Sequence, residues 1–233
     1  APAGAVVAAV VVAALPRLGS LAVLAGLVAW LAAGPEGVAP GTALLVLAAG
    51  LPAVLALWRA RPGWWSAPAL APVLGLLALA TAWPAVAGQA RRVTHRLVLG
   101  ALGCWWLLLT QALTGRILLV GPVPGVRDPV RWTGSVSETA GHVLAPLITS
   151  GALGIALVWA LAAAVLPYVV RGRAAAVDLV MASAWAAGLA AGTQGMASAL
   201  QWPDGPPPVH GIVAPAILAG VIAVAARASR GVA

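Results

Sequence analysis

The sequence predicts an all-α fold, a polytopic transmembrane helix bundle with about eight membrane segments. Hydrophobic residues make up 62% of the chain and charged residues only 8%, and the mean hydropathy is +1.02. An ordinary soluble domain carries about 25% charged residues. Long apolar runs follow one another along the whole chain, and the Arg residues gather in the gaps between them. This arrangement is typical of a polypeptide that crosses a lipid bilayer many times.

The apolar segments differ in length. They cover residues 3–15, 18–33, 42–58, 68–88, 97–114, 142–170, 174–200 and 211–226. The first two are shorter than the ~20 residues that span about 30 Å of hydrocarbon. We expect these two to tilt into a locally thinned bilayer or to form a shallow hairpin. The sixth is long, so we expect it to tilt or to extend past the interface.

The fourth segment, residues 68–88, contains Pro72 and Pro84. We expect kinks there, because proline lacks a backbone donor and crowds the preceding turn. The alternative is a re-entrant segment over residues 64–88, which would leave the membrane on the side where it entered.

The apolar runs predict helices rather than the strands of a membrane barrel. Barrel strands alternate polar and apolar residues over about ten positions, whereas these runs are apolar on every face and rich in Ala, Leu and Gly. Ala and Leu are strong helix formers, and a helix satisfies its own backbone groups, as hydrocarbon requires. We treat residues 1–233 as a single integral membrane domain.

The basic residues indicate orientation and partners. All 13 are Arg, and the formal net charge is +8. If all segments cross, seven Arg residues lie on one side of the membrane and six on the other. Leaving out the long loop at 115–141 gives seven against three, which predicts both termini in the cytoplasm. The re-entrant alternative puts Arg59, Arg61, Arg91 and Arg92 on one face and the N-terminus outside. Because the Arg residues flank apolar segments, we predict membrane lipid as their partner and no nucleic acid.

Tryptophan and cysteine are expected to pack. Trp residues near segment ends fit the interfacial belt of membrane proteins. For the deeper Trp105, Trp106, Trp159 and Trp185 we favour packing between helices over a stacking platform for a ligand. Cys104 lies inside an apolar run, so we expect a small buried hydrophobe rather than a reactive thiol.

A pair of ionisable residues marks the start of the sixth segment. Glu138 and His142 are four residues apart and share a helix face if the helix begins near Ser137. Ser135 or Ser137 would cap that helix, and Glu138 would suit its positive end.

The same pair has a second interpretation as part of a metal site. Asp204 and His210 fall on the same side of the membrane in the eight-segment scheme, so Glu138, His142, Asp204 and His210 are candidate ligands. We rank this below the capped helix start, because no HExxH or CxxC spacing supports it. We identify no catalytic residue and expect no cofactor.

Polar residues inside the predicted segments mark either a path or a helix contact. The intramembrane candidates are Gln111 and Thr114 in the fifth segment and Gln194 in the seventh. Uncharged polar groups commonly join helices by hydrogen bonds worth about 0.6 kcal/mol each, so we favour helix contacts over a substrate path. For Asp178, close to Arg171, we favour a cap or a local ion pair over a proton relay.

Several stretches together resemble a known kind of membrane region. They are residues 13–20 (AALPRLGS), 61–65 (RPGWW), 83–88 (WPAVAG), 105–109 (WWLLL), 113–116 (LTGR), 142–147 (HVLAPL) and 166–173 (LPYVVRGR). They resemble the multi-pass region that follows the kinase domain in serine/threonine protein kinases of high-GC actinobacteria. The resemblance implies a cytoplasmic kinase domain before residue 1, and no kinase motif matches within this chain. The start without Met fits a piece of a longer protein.

The leading hypothesis is a non-catalytic multi-pass domain in the plasma membrane that anchors and regulates a cytoplasmic signalling module of the serine/threonine kinase type. One alternative is a small transporter or channel that uses the proline-containing fourth segment and the polar groups of the fifth and seventh. A second alternative is an intramembrane enzyme with a His and carboxylate metal site on the non-cytoplasmic face.

Overall fold

The fold is known from a computed structural model, which describes residues 10–12, 14–33, 39–58, 60, 63–119, 121, 123, 125–126, 128–171, 174–199, 215–218 and 220–222. The described residues are mainly helical and contain no β-strand, which confirms the all-α class. The helices are α1 (Pro16–Ala33), α2 (Pro40–Leu57), α3 (Gly63–Ser66), α4 (Leu70–Leu76), α5 (Trp83–Ala87), α6 (Val93–Thr114), α7 (Val136–Thr139), α8 (Ala145–Thr149), α9 (Ala152–Val169) and α10 (Ala175–Ala199). Residues 215–218 and 220–222 are also helical.

Within the described part of the chain, four helices are long and apolar enough to cross a membrane, namely α2, α6, α9 and α10. The stretch Arg17–Ala33 of α1 is apolar but shorter. The chain therefore carries membrane-length helices, as its hydropathy predicts. Most of the predicted first segment, residues 3–15, and most of the eighth, residues 211–226, lie outside the described residues, so the count of eight stays a prediction.

The predicted fourth segment is not one helix. It consists of α3, a 3₁₀ turn at Ala67–Ala69, α4, a second 3₁₀ turn at Ala80–Ala82 and α5. The main interruption lies between Leu76 and Ala80, where Ala78 has a positive φ of 57°, and not at the expected Pro72 or Pro84. Pro84 falls in the first turn of α5, a position where a helix tolerates proline because no donor is needed there.

The predicted sixth segment is divided as well. The helical path runs through α7, a π-helical turn at Ala140–Leu144 and α8, and then stops at Ser150. Gly151 follows with a φ of 82°, a left-handed conformation that glycine adopts without steric cost. α9 begins immediately afterwards, so the membrane-length part is shorter than the sequence pattern suggests.

The long helices define two ends of the bundle. Ala39 N–H donates to Leu31 O at 2.9 Å, and Gly41 N–H donates to Thr133 O at 3.0 Å. Asp128 and Pro129 line the same cavity as Thr114, the last residue of α6. The end of α1, the start of α2 and the end of α6 therefore lie together, at what we call the loop end.

The opposite end, which we call the arginine end, contains the start of α1, the end of α2, the start of α6 and the end of α9. The Arg96 guanidinium lies 6.0 Å from the Tyr168 ring centre, which joins the start of α6 to the end of α9. Trp65 Nε1 donates to Leu57 O at 2.8 Å, and Arg96 Nε donates to Ala90 O at 2.7 Å. The stretch from α3 to α5 thus begins and finishes at the arginine end.

Close approach of backbones builds the centre of the bundle, where α6 packs on α9. A Cβ added at Gly100 would lie 2.7 Å from Trp159 O and 2.8 Å from the Cα of Ala160. Gly103 leaves the space that the Trp83 indole fills. Small residues at such contacts let membrane helices pack by van der Waals forces, because lipid supplies no hydrophobic drive between helices.

Indole N–H groups hold the helices to one another. Trp83 Nε1 donates to Leu99 O at 2.8 Å, and Trp185 Nε1 donates to Ala162 O at 2.8 Å. Trp159, which is fully buried, donates to Thr193 Oγ1 at 3.2 Å. The deep tryptophans therefore pack between helices, as expected.

Candidate functional site

The C-terminal end of α6 contains two of the predicted polar candidates, Gln111 and Thr114. Gln111 is buried, and its side chain closes the following loop onto the helix. Its Oε1 accepts hydrogen bonds from Leu118 N–H at 3.1 Å and Leu119 N–H at 3.3 Å, and its Nε2 donates to Gly121 O at 2.9 Å. Gln111 thus satisfies backbone groups that hydrocarbon would leave unpaired, and these contacts are with the loop that follows its own helix.

Thr114 is exposed and belongs to the helix cap. Its Oγ1 donates to Thr110 O at 2.8 Å. Gly115 follows with a φ of 65°, and its N–H donates to Gln111 O at 2.9 Å. A left-handed glycine of this kind is the usual way in which a helix ends.

A cavity of about 520 Å³ lies beside this cap at the loop end. Its walls combine apolar side chains, including Ile117 and Val130, with the side chains of Arg116 and Asp128. Asp128 Oδ1 accepts from Val130 N–H at 3.2 Å, which fixes the turn that follows. Sequence inspection singled out neither Arg116 nor Asp128 as part of a cavity, because the two are far apart in sequence and separated by an irregular loop.

Gln194, the third polar candidate, lies on α10 against α9. Its neighbours Thr193 and Met196 contact Trp159 and Gly154 respectively. Gln194 Oε1 is buried and has no hydrogen-bond partner among the described residues. Gln111 and Thr114 are therefore brought together at one cavity, whereas Gln194 lies on a different helix.

The pair Glu138 and His142 lies at the loop end. Ser135 Oγ accepts from Glu138 N–H at 3.4 Å, which confirms Ser135 as the cap of α7. His142 Nδ1 lies 2.8 Å from Glu138 Oε2. The two atoms are as close as those of an ion pair, but their angles do not fit a hydrogen bond.

The proposed metal site involves residues beyond that pair. Asp204 and His210 lie outside the described residues, and the described residues contain no group of three His, Cys, Asp or Glu side chains that could hold a metal ion. The His142 and Glu138 contact is explained within α7 and the π-helical turn, and the metal hypothesis stays a prediction.

Asp178 connects the end of α9 to α10. It is buried, and its Oδ1 accepts from Arg171 N–H at 3.0 Å. The Arg171 guanidinium instead donates through Nε to Tyr168 O at 2.7 Å. Asp178 therefore caps the connection, one of the two roles favoured for it.

Cys104 is fully buried in α6 and in no disulfide, which confirms the prediction of a small buried hydrophobe.

Comparison of the chain with protein families, with curated proteins and with solved structures finds no match. The assignment of a function therefore depends on the chain's own geometry and chemistry.

Proposed function

We propose that this chain is a non-catalytic multi-pass domain of the plasma membrane, which anchors and regulates a cytoplasmic signalling module of the serine/threonine kinase type. The observation that carries the proposal is that polar groups of the membrane-length helices form hydrogen bonds within the protein. Trp159 pairs with Thr193, Trp105 donates to Ala48 O, and Gln111 closes a loop. These groups join helix to helix and loop to helix, which is the chemistry of a scaffold.

The orientation that we propose uses the re-entrant alternative for residues 64–88. With that stretch returning to the arginine end, five described Arg residues lie at this end and two at the loop end. The five are Arg17, Arg91, Arg92, Arg96 and Arg171, and the two are Arg116 and Arg131. By their positions in the sequence, Arg59, Arg61 and Arg173 belong to connections of the first end and Arg127 to the second. An eight-to-three bias favours the arginine end as the cytoplasmic one.

The connections at the arginine end would then face the signalling module. Four of the seven stretches that resemble kinase-associated membrane regions have described residues at this end, namely 13–20, 61–65, 83–88 and 166–173. Arg17, at the start of α1, also lies there. We propose further that residues 3–15 do not cross the membrane but form one arm of a shallow hairpin, unlike in the re-entrant scheme that puts the N-terminus outside. A cytoplasmic module joined before α1 would then sit beside these connections, where a shift in helix packing can reach it.

Single-cysteine labelling tests the orientation. Cys104 is fully buried, so the native chain supplies an unreactive background for a membrane-impermeant maleimide. Trp58→Cys and Val93→Cys replace exposed residues at the arginine end, and Ser137→Cys replaces one at the loop end. We expect the first two to react from the cytoplasmic side only and the third from the opposite side only. Labelling of Trp58→Cys and Val93→Cys from opposite sides contradicts the re-entrant topology.

Two measurements test the function. The first is the size and kinase activity of the native polypeptide, captured from membranes with an antibody against residues 128–139. We expect a protein larger than 23.0 kDa that phosphorylates serine or threonine. The second uses residues 1–233 alone in proteoliposomes, where we expect neither phosphotransfer nor solute flux. Flux that disappears in Gln111→Ala or Gln194→Ala would favour a transporter instead.

A further inference from the structure

A second cavity, of about 340 Å³, lies between α1, α2, the turn at residues 65–69 and α6. α1 packs directly on α2 but faces α6 across this cavity. Its walls are almost entirely apolar and include Leu24 and Leu27 of α1, Val46 of α2 and Leu109 of α6. Apolar cavities of this kind stay dry, so the natural occupant of a cavity between membrane helices is a hydrocarbon chain.

The cavity has a direction. Ser20 and Ser66 line the part nearest the arginine end, since Ser20 is in the first turns of α1 and Ser66 follows Trp65, which binds Leu57 O. The part towards the loop end is lined mainly by leucine and valine, together with Thr110 of α6. An amphiphile would therefore enter with its polar group at the arginine end and its chain pointing towards the loop end.

A positive charge stands at the polar end of the cavity. Arg17 precedes Ser20 by three residues, which places both on the same side of α1. Arg17 is exposed, and among the described residues it is in no ion pair. A basic residue at a membrane surface attracts anionic lipid.

We propose that this cavity binds one acyl chain of an anionic phospholipid, with the phosphate at Arg17. The volume suits on the order of ten methylene groups, if each takes the ~30 Å³ of a water molecule in the liquid. The bound chain would complete the packing between α1 and α6, where the protein alone leaves a gap. The site does not depend on the proposed signalling function.

Photo-crosslinking tests the site in the full chain. The probe is phosphatidylglycerol with a diazirine in its acyl chain, present as a minor component of phosphatidylcholine vesicles, and labelled peptides are identified by mass spectrometry. We expect labels on α1, α2 and α6 at residues that line the cavity. Labels confined to outward-facing residues such as Leu55 or Leu161, which are 68% and 52% exposed, would mean surface lipid only and would overturn the proposal.

Cavity-filling variants sharpen the test. Ala53 is buried and lines the cavity, so Ala53→Leu should lower labelling several-fold. Ala56→Leu adds the same volume at an exposed position of α2 and should leave labelling unchanged. If Ala53→Leu fails to fold, Ala69→Leu fills the cavity from the turn that follows α3. Equal labelling in the filled and control variants contradicts an internal site.

The headgroup is tested separately. Arg17→Gln removes the charge at an exposed position, so the fold should be preserved. We expect the preference for phosphatidylglycerol over a phosphatidylcholine probe with the same chain to fall several-fold, while labelling still maps to the cavity. An unchanged preference would show that Arg17 does not hold the phosphate.

Discussion

Pro52 in α2 and Pro167 in α9 present the same difficulty to two membrane helices, which solve it differently. Each proline lacks the N–H group that would bond the carbonyl four residues earlier, at Ala48 and Ala163 respectively. In hydrocarbon no water can take the place of the missing donor. A partner must therefore come from elsewhere in the protein.

At Pro52 the partner is an indole group. Trp105 Nε1 donates to Ala48 O at 2.8 Å, and Trp106 Nε1 donates to the neighbouring Ala49 O at 2.9 Å. The adjacent tryptophans of α6 thus supply donors at the two carbonyls beside the proline. Pro52 lies more than one helical turn from either end of α2.

At Pro167 the arrangement is looser. Ala163 O packs closely on Gly88, since a Cβ added to Gly88 would lie 3.0 Å from this oxygen. Trp185 Nε1 donates to the preceding carbonyl oxygen, Ala162 O. Pro167 is in the last turns of α9, close to the arginine end. In this fold, the proline further from a helix end has a substitute donor at the carbonyl it leaves without a helical partner, whereas the proline in the last turn has close packing there.

The largest loss of unfolding free energy is expected at Gly103, because the Trp83 indole occupies space that only a glycine leaves free. A methyl group in Gly103→Ala would collide with the Trp83 indole, whose N–H group bonds Leu99 O. We expect a loss of about 3 kcal/mol, at the top of the usual range for overpacking, measured as unfolding free energy in mixed micelles. The control Gly188→Ala meets no atom within 4 Å, and an equal loss there would mean that helix glycines matter for another reason.

A double-mutant cycle tests the substitute donor itself. Trp105→Phe should cost about 1.5 kcal/mol of unfolding free energy, because Ala48 O loses its partner. In a Pro52→Ala background, the restored N–H group should bond Ala48 O, so the same change should cost clearly less. Additive effects of the two changes would show that Trp105 contributes only apolar packing.

The corresponding cycle at α9 should show less coupling. Trp185→Phe removes a donor to Ala162 O, which is not the carbonyl that Pro167 deprives of its helical N–H donor. We expect a cost of about 0.6 kcal/mol, the average for hydrogen bonds between membrane helices, with or without Pro167→Ala. Strong coupling here would remove the contrast between the two prolines.

The smallest effect is expected from Gly88→Ala, which tests the close packing at Pro167. The new Cβ would lie 3.0 Å from Ala163 O and 3.1 Å from a methyl group of Leu166, so the neighbours must shift slightly. Gly88 is buried, so the methyl group adds some overpacking, but alanine's higher helix propensity offsets part of that cost, and we expect a net loss of about 0.5 kcal/mol. Gly26→Ala, which meets no atom within 4 Å, should be neutral or stabilising because alanine favours helix.

Much of the fold can be predicted from local pattern. The apolar runs predict the membrane-length helices α2, α6, α9 and α10, and Ser135 three residues before Glu138 predicts the start of α7. The prolines mislead, since the interruption between α4 and α5 falls at Leu77–Leu79, an apolar sequence without proline. Gly75 there lies against Leu107 and Leu118, and no hydropathy pattern reports contacts between residues so distant in sequence.

The candidate sites were less predictable than the helices. Gln111 could be singled out because a polar side chain in an apolar run is costly. Its partners at Leu118 and Gly121 depend on how the loop folds back. Ser20 and Ser66 could not be singled out from the sequence, because small hydroxyl residues are common in membrane helices. They form the polar end of a cavity only because the fold brings α1 and α3 together.

By itself, the sequence determined that the described chain is helical and has helices able to cross a membrane, because transfer of apolar side chains and self-pairing of the backbone are properties of each segment alone. Only the tertiary structure decided which carbonyls receive tryptophan donors, where the chain turns back, and where cavities remain. Those outcomes depend on the close approach of residues far apart in sequence, at distances that composition and periodicity do not specify.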